Sequence, residues 1–280
     1  ASATSTFSGN VGIGTTTPNN LLSVYDLVDF NNTDFNTKLG YQAGKNIVSG
    51  AQYNSFLGYQ AGYSSGGAGS TNAADYNTAI GYGTLYSNTT GYNNSAMGAS
   101  ALSSNTTGYL NSAVGMNALY SNTTGYSNSA VGKSALYYNT TGYENSAMGA
   151  SALYSNTTGY QNSGIGTSAL YNNTTGDHNI AIGHRSMMYS TTGNDNTGIG
   201  YQSLYYNAAG NANAVLGYQA GYGVTGTPVA SSTIIGYRAG FALATSTANI
   251  LLGYQAGDNL TTGSNNIIIG YDIDTPTSTS

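Results

Sequence analysis

Asn-Thr-Thr-Gly-Tyr-Leu-Asn-Ser-Ala-Val-Gly-Met-Asn-Ala-Leu-Tyr-Ser, residues 105–121, is one of five consecutive copies of a 17-residue string between Asn88 and Gly176. The general form is Asn-Thr-Thr-Gly-Tyr-x-Asn-Ser-Ala-φ-Gly-x-Ser-Ala-Leu-Tyr-x, where φ is Met, Val or Ile. Self-similarity at a fixed period indicates a repeat architecture and takes precedence over local patterns.

The repeat extends well beyond its best copies. The Gly that follows φ recurs at every seventeenth position from Gly81 to Gly217. Less regular copies place the same Gly at positions 40, 58, 236, 253 and 270. The residue before this Gly is apolar in all fourteen coils, and Asn stands four residues before it in all but one. The sequence therefore predicts about fourteen coils.

The composition excludes several classes of protein. The chain has 280 residues, of which 40 are Gly and 27 are Tyr, with no Cys and only 5% charged residues. A typical soluble domain carries roughly a quarter charged residues. The chain has only five Lys and Arg residues in total, and its net charge is -5. It therefore has no basic patch to neutralise phosphates, and we expect no nucleic-acid partner. The absence of Cys excludes disulfides and thiolate metal sites.

Membrane and targeting segments are not evident either. The sequence contains no apolar run long enough to cross a bilayer as a helix, and its start lacks a charged n-region followed by an apolar h-region. We therefore expect no membrane insertion by this segment. We also expect the chain to be a piece of a larger protein.

The period itself favours strands over helices. Seventeen residues with two Gly are too few for the familiar helical repeats, which need about 33 to 47 residues. Two short extended runs do fit: Asn-Ser-Ala-φ before the Gly, and Ser-Ala-Leu-Tyr after it. We expect Thr-Thr-Gly to form a turn in which the Gly has a positive backbone dihedral angle φ. We expect the apolar φ residue and the Gly that follows it to form a second turn. The predicted fold is all-β, a parallel β-solenoid or β-roll.

Stacking one coil on the next turns each column of the repeat into a ladder, with neighbours about 4.8 Å apart. We predict that equivalent Asn side chains bond to one another along the stack, as in other cross-strand arrays. The predicted structural ladder comprises Asn94, Asn111, Asn128, Asn145, Asn162, Val114, Val131, Met148, Gly98, Gly115, Gly132 and Gly149. The apolar φ residues form one stripe, and Leu85, Leu102, Leu119, Leu136, Leu153 and Leu170 form a second. Because one coil is too thin to bury both, we expect one stripe to lie between chains of a closed homo-oligomer.

Three segments follow from the pattern. Residues 1–35 break the repeat and are interpreted as a capping or linking segment, with one short strand over Leu22, Val24 and Tyr25. Residues 36–271 form the β-solenoid domain. Residues 272–280 are rich in Thr, Ser and Pro and are interpreted as a linker tail. Longer steps, such as that from Gly58 to Gly81, indicate loops inserted into single coils.

The string Asn-Ser-Ala-Val-Gly-x-Ser-Ala-Leu, most evident at 111–119, 128–136 and 145–153, resembles the YadA-like head repeats of trimeric autotransporter adhesins. The resemblance covers about residues 36 to 271. It implies a left-handed parallel β-roll, a homotrimer and a location outside the cell. Residues 9–18 look like the modular start of bacterial surface and phage tail-fibre proteins. The family's repeats are mostly shorter than the period of this chain, and no heptad stalk follows Gly270.

The sequence contains few residues suited to catalysis, and we predict no enzyme, no cofactor and no metal site. Most of the ten acidic residues lie outside the repeats. The one local cluster comprises Asp177, His178, His184, Arg185 and Asp195. The period places His178 and Asp195 in one column, beside Gln161 and Glu144. A solvated charge pair on a turn is the plain interpretation, and a metal or anion site is the alternative.

The recurrent Asn-Thr-Thr triplets match the pattern of a glycosylation acceptor. Because they recur once per coil, the turn itself explains them. Adjacent Thr residues point to opposite faces of a strand, so only one Thr column can face outward. An outward Thr ladder on a rigid scaffold could order water, which makes ice binding an alternative function.

Tyr and Asn dominate the remaining surface. Tyr offers a large contact area and one polar group at low entropic cost. We name Tyr109, Tyr126, Tyr143, His178 and Asp195 as possible surface-binding residues, with packing as the alternative role of the Tyr columns. The partners expected are further copies of the chain and a host or environmental glycan or protein. The predicted function is an extracellular, cell-surface rod that serves as the head or shaft of an adhesin or fibre. A phage tail-fibre shaft, placed on a virion, and an ice-binding solenoid are the alternatives.

Overall fold

The computed structural model of the chain describes residues 11–13, 22–24, 28–31, 34–65 and 74–273. The chain divides into two compact units, called unit 1 (residues 1–124) and unit 2 (residues 125–280). Within the described ranges, the regular elements are all β-strands and no helix occurs. The predicted all-β parallel β-solenoid is confirmed.

The described strands of unit 1 begin with three that precede the regular coils. They are β1 (Val11–Ile13), β2 (Leu22–Val24) and β3 (Val28–Asn31). The predicted short strand is β2, and Tyr25 lies outside the described residues. The expectation of one strand here was incomplete, because β1 pairs in parallel with β2 and β3 pairs antiparallel with β2.

The solenoid strands of unit 1 follow. They are β4 (Asn36–Leu39), β5 (Ser55–Leu57), β6 (Thr78–Ile80), β7 (Ser95–Met97) and β8 (Ser112–Val114). Each pairs in parallel with the next. On its other side β4 pairs antiparallel with β3. That pairing covers the edge of the first solenoid strand, which would otherwise present unpaired backbone groups.

Unit 2 contains the longer series of described coils. Nine strands pair in parallel in chain order: β9 (Ser129–Val131), β10 (Ser146–Met148), β11 (Ser163–Ile165), β12 (Ile180–Ile182), β13 (Thr197–Ile199), β14 (Ala214–Leu216), β16 (Thr233–Ile235), β18 (Ile250–Leu252) and β19 (Ile267–Ile269). The short strands β15 (Val229–Ala230) and β17 (Ser246–Thr247) pair separately with each other.

Strand register follows the sequence period. Ser129 pairs with Ser146, and Ser146 pairs with Ser163, so equivalent residues of successive copies lie opposite one another. Ser55 pairs with Thr78, a longer step than the period, so the extra residues between these two strands belong to one coil. Residues 66–73 of that expected loop lie outside the described ranges. The register is thus set by the repeat.

Each three-residue strand from β5 to β19 has one inward side chain. In β10, Ala147 is buried, whereas Ser146 and Met148 on either side are exposed. The same alternation holds in β9 and β12. Because successive side chains of a strand point to opposite faces, the φ residue must point away from the interior. The interior accordingly receives a small residue at this position in most coils.

The second predicted extended run, Ser-Ala-Leu-Tyr, does not form a strand, so that prediction was wrong. In unit 2, Ser151 has φ 55° and Leu153 has φ 52°, with Ala152 between them. Alternating left-handed residues curl the chain, which turns both Ala152 and Leu153 inward, where they are fully buried. A bulky residue at positive φ is unfavourable on its own. Burial of the Leu side chain, worth about 1.5–3 kcal/mol, offsets that strain.

The role expected for the Gly of the Asn-Thr-Thr-Gly turn was also wrong. Gly159 does not adopt a positive φ. It is needed because a Cβ there would lie 2.5 Å from the carbonyl oxygen of Gly176 and 2.4 Å from Asn156 Oδ1. The Gly that follows the apolar φ residue does behave as expected, since the backbone dihedral angle φ of Gly149 is +135°. One Gly of each coil therefore permits close packing, and the other permits the bend.

Candidate functional site

The predicted Asn ladder lies inside the coils. In unit 2, Asn128, Asn145 and Asn162 are each about 1% exposed. Asn145 Nδ2 donates to Asn128 Oδ1 (3.2 Å) and to the carbonyl oxygen of Gly159 (2.8 Å). Its Oδ1 accepts from the backbone N–H of Asn162 at 3.0 Å. In unit 1, Asn111 donates to Asn94 in the same manner. These side chains are structural and have no surface at which a ligand could bind.

A second Asn ladder, which the sequence analysis did not name, lies in the turn. In unit 2, Asn156 Nδ2 donates to Asn139 Oδ1 and Asn173 Nδ2 donates to Asn156 Oδ1, at 2.8 and 2.7 Å. These are the Asn residues of the Asn-Thr-Thr triplets, and they are fully buried. The folded protein therefore offers no amide of these triplets to a glycosyl transferase. The signal was present in the sequence as the recurrent Asn that opens the turn.

The two Thr residues of each turn have different roles. Thr157 Oγ1 donates to the carbonyl oxygen of Thr174 in the next coil, at 3.0 Å. The following Thr158 is exposed. As expected, one Thr column faces outward. In unit 2 its members are Thr141, Thr158, Thr175 and Thr192.

The φ stripe is the main apolar surface. In unit 2, Val131, Met148, Ile165, Ile182, Leu216, Leu252 and Ile269 are exposed, and Ile199 and Ile235 are half-buried. In unit 1, Leu39, Leu57, Met97 and Val114 are exposed. The predicted ladder residues Val114, Val131 and Met148 thus point outward, whereas the Leu column points inward. The two apolar stripes have opposite environments.

A Tyr ladder runs beside the φ stripe in unit 2, and sequence reasoning missed it. Tyr201, Tyr218, Tyr237, Tyr254 and Tyr271 each follow the Gly that closes a strand and are exposed. Neighbouring rings stack with centroids 4.9–5.3 Å apart. His184 extends the stack at its start, 5.5 Å from Tyr201. The signal was the change from Gly-x-Ser-Ala to Gly-Tyr-Gln-Ala in the outer coils.

The predicted surface residues Tyr109, Tyr126 and Tyr143 occupy another ladder and are half-buried. In unit 1, Tyr109 stacks on Tyr92 at 5.0 Å. In unit 2, Tyr143 stacks on Tyr126 and on Tyr160, at 4.9 and 4.8 Å. Since each ring face is covered by the next ring, these residues offer edges and hydroxyl groups to a partner. Desolvation and then the Tyr160 hydroxyl raise the pKa of Tyr143, so the hydroxyl is neutral at neutral pH.

A further aromatic column follows the buried Leu column, with Tyr205 buried and Tyr222 and Phe241 half-buried. Tyr205 stacks on Tyr222 at 5.0 Å, and Tyr222 stacks on Phe241 at 5.0 Å. The Arg238 guanidinium lies 4.0 Å from the centre of the Phe241 ring, a cation–π geometry. Desolvation and then the nearby Tyr206 raise the pKa of Tyr222 to about 12. The Tyr222 hydroxyl is therefore uncharged at neutral pH.

The charged cluster predicted from the sequence is divided among four columns of the repeat. His178 Nδ1 lies 3.4 Å from Asp195 Oδ1, and both side chains are largely exposed. Gln161 Nε2 donates to Glu144 Oε2 at 2.7 Å on the same face. His184 instead belongs to the exposed Tyr ladder. Asp177 accepts a hydrogen bond from the backbone N–H of Tyr160. An exposed ion pair of this kind contributes little, roughly 0–1 kcal/mol.

The described residues contain neither a group suited to a metal ion nor a long apolar helix. Within these ranges, no three or more His, Cys, Asp or Glu side chains are grouped so that they could hold a metal ion. No helix in the described part of the chain has the length and apolar character needed to cross a membrane. The candidate site is therefore a set of repeated surface columns.

No family model, curated protein or solved structure matches the chain. Function does not follow from a solenoid fold alone, because one scaffold can serve many purposes. The exposed columns are consequently the basis on which a function can be argued.

Proposed function

We propose that the chain is the self-associating head or shaft of an extracellular adhesin or fibre. Repeated coils provide a stiff support, and their outward columns provide many identical contact groups. The proposal includes a homotrimer with left-handed coils, which the resemblance to trimeric autotransporter heads implies. The same arrangement would serve a phage tail-fibre shaft.

One observation supports this proposal above the others: the φ stripe is apolar in every coil and points outward. In unit 2 it runs through the nine strands that pair in parallel with one another, and the exposed Tyr ladder lies beside it. Soluble monomers rarely expose a contiguous apolar patch larger than a few hundred Å². A partner surface must cover such a stripe if the protein is to remain soluble.

A second copy of the chain suits this surface best. The stripe repeats at the spacing of the coils, so only a partner with the same spacing can match it along its length. Copies related by an axis parallel to the ladders place each φ residue against its own counterpart, and such closed arrangements are the usual ones for homo-oligomers. The remaining columns then face outward for attachment.

Attachment through repeated columns depends on many weak contacts rather than on one high-affinity site. The stacked Tyr rings of the Tyr143 ladder present hydroxyl groups at one per coil, next to the polar column of Glu144, Gln161, His178 and Asp195. Linked weak contacts increase overall affinity strongly when they can engage together. This arrangement fits a repetitive glycan or protein surface.

Replacing Leu216 by Glu is expected to dissociate the oligomer without unfolding it. Leu216 is 47% exposed and points away from the interior, so the fold loses little. In the assembly, the substitution brings like charges together in an apolar interface, where desolvation is costly. Sedimentation equilibrium should show a multiple of the 28.6 kDa chain mass for the wild type and a single chain for Leu216→Glu.

Ala209→Glu is the matched control, because Ala209 is exposed on the outward Thr column rather than on the φ stripe. It should leave the oligomer intact. A wild-type protein that sediments as a single chain at all concentrations contradicts the proposal, as does an oligomer that Leu216→Glu does not affect.

Ice binding is the second candidate, favoured by the outward Thr column of unit 2. That column is a single row, since the hydroxyl of the preceding Thr is bonded to the next coil. A thermal hysteresis assay distinguishes the two functions. Growth arrest of ice crystals by the wild type, lost in Thr158→Tyr, supports ice binding, and unhindered growth excludes it.

A further inference from the structure

The turn ladder of unit 2 comprises Asn139, Asn156, Asn173, Ser190 and Asn207, which occupy equivalent positions in successive coils. Asn139, Asn156 and Asn173 each donate from Nδ2 to the carbonyl oxygen of the Gly three residues later, at 2.9–3.0 Å. Asn156 and Asn173 also donate to the Oδ1 of the Asn before them. This pattern requires an amide at every step.

Ser190 interrupts the ladder. It has no amide to donate to Asn173 Oδ1, and that buried oxygen has no hydrogen-bond partner in the protein. Ser190 Oγ is also fully buried and has none. Beyond it, Asn207 Nδ2 reaches the carbonyl oxygen of Gly210 only at 3.4 Å. Two adjacent buried oxygens without a partner are unusual, because leaving such a group unbonded costs about 1–3 kcal/mol.

A Ser in an Asn column does not produce this situation by itself. Ser232 replaces Asn in the other, inner ladder of unit 2. Its hydroxyl donates to the carbonyl oxygen of Ala230 at 2.9 Å and accepts from the backbone N–H of Asn249 at 3.2 Å. At Ser232, groups of the protein therefore satisfy the hydrogen bonds of the interrupted ladder, whereas at Ser190 they do not.

Ser190 also reaches less far toward the Gly of its own turn than Asn173 does in the coil before it. A Cβ built on Gly176 would lie 2.5 Å from Asn173 Oδ1, whereas one built on Gly193 would lie 3.4 Å from Ser190 Oγ. Ser is two non-hydrogen atoms shorter than Asn, and those two atoms occupy roughly the volume of one water molecule.

We propose that Ser190 creates a specific site for one buried water molecule, which replaces the missing amide of the turn ladder. The water donates one hydrogen to Asn173 Oδ1 and shares a second hydrogen bond with Ser190 Oγ. The amide of Asn207, next in the column, supplies a third partner. Two to four polar partners are what buried waters typically have. This inference concerns the inside of the coils and stands independently of the proposed function.

Crystal structures of the wild type and of Ser190→Asn test the proposal. At a resolution that reveals ordered water, the wild type should show one water within hydrogen-bond distance of Asn173 Oδ1 and Ser190 Oγ. In Ser190→Asn the new amide should occupy that position and donate to Asn173 Oδ1. Wild-type density with no water there, or with Asn173 Oδ1 bonded to a protein group, overturns it.

Thermal unfolding provides a second readout that does not need crystals. Ser190→Asn should raise the unfolding midpoint by about 2 °C or more, because it exchanges a bound water for a direct amide bond. Ser232→Asn, the matched control, should bring no increase because the hydroxyl there is already bonded. The proposal is contradicted if Ser190→Asn leaves the unfolding midpoint unchanged or lowers it while the midpoint of Ser232→Asn is equal to or higher than that of Ser190→Asn.

Discussion

Gly149→Ala is expected to destabilise the protein by more than about 3 kcal/mol, a large effect for a single substitution. Gly149 has φ +135°, a conformation that L-residues rarely adopt. A Cβ at this position would also lie 2.6 Å from the carbonyl carbon and 2.7 Å from the carbonyl oxygen of Gly166 in the next coil. Since those atoms are backbone, neither can move aside cheaply.

Gly226→Ala measures the cost of a positive φ where no neighbouring coil is close. Gly226 also has a positive φ, +79°, but a Cβ there has no heavy atom within 4 Å. Backbone strain alone should cost about 1–2 kcal/mol. Urea unfolding of both variants measures the difference. Equal losses of stability for the two substitutions would mean that neighbouring coils do not approach one another at Gly149 as described.

Asn145→Ala is expected to cost roughly 3–5 kcal/mol, because it removes four buried hydrogen bonds and leaves one buried backbone N–H without an acceptor. The backbone N–H of Asn162 loses its acceptor and is left without a partner. The carbonyl oxygen of Gly159 loses one of its two donors and keeps Asn156 Nδ2, and Asn128 Oδ1 loses the side-chain amide of residue 145 and keeps its backbone N–H. The unbonded N–H adds its own desolvation penalty to the hydrogen bonds that are lost, so the loss exceeds that of one hydrogen bond.

Asn172→Ala is the matched control for this substitution. Asn172 stands in a turn of the same unit, is only half-buried, and makes no side-chain hydrogen bond among those described. Its replacement should change the free energy of unfolding by less than about 0.5 kcal/mol. If Asn145→Ala is as mild as Asn172→Ala, the inner ladder does not hold the coils together.

The repeat and its register could be predicted from the sequence because identical residues recur at every seventeenth position. Stacked strands that carry the same side chains have one obvious alignment, as the pairing of Ser146 with Ser163 illustrates. The inner Asn column was equally predictable, since a lone Asn before each strand has few other uses. These features depend on the period alone.

The directions of the side chains could not be predicted in the same way. Val131 and Leu136 are both apolar and close in sequence, yet Val131 is exposed and Leu136 is fully buried. What decides this is the left-handed conformation of Ser134 and Leu136 after the strand. No propensity rule places a Leu at positive φ, because only its burial in the finished stack offsets the strain.

The candidate site was foreseen only in part. His178 and Asp195 lie together as the period required, but His184 lies with the exposed Tyr ladder. The Tyr ladder from Tyr201 to Tyr271 was missed because its exposure depends on the outward direction of the φ stripe beside it. A Tyr after Gly has no fixed orientation until the bend at that Gly is known.

Distances between spin labels at Thr141 and position 209 test the central claim most directly, namely that every seventeenth residue lies over its predecessor. Both positions belong to the outward Thr column of unit 2, four coils apart, and the chain has no Cys to interfere with labelling through introduced Cys residues. Four strand spacings predict a narrow distribution centred at about 19 Å, from about 4.8 Å per coil, in chains diluted with unlabelled protein. Labels at Thr141 and Thr192, three coils apart, should lie about 4.8 Å closer to each other than the first pair. A broad distribution, or a distance that does not shorten with one coil fewer, would contradict the stacked architecture.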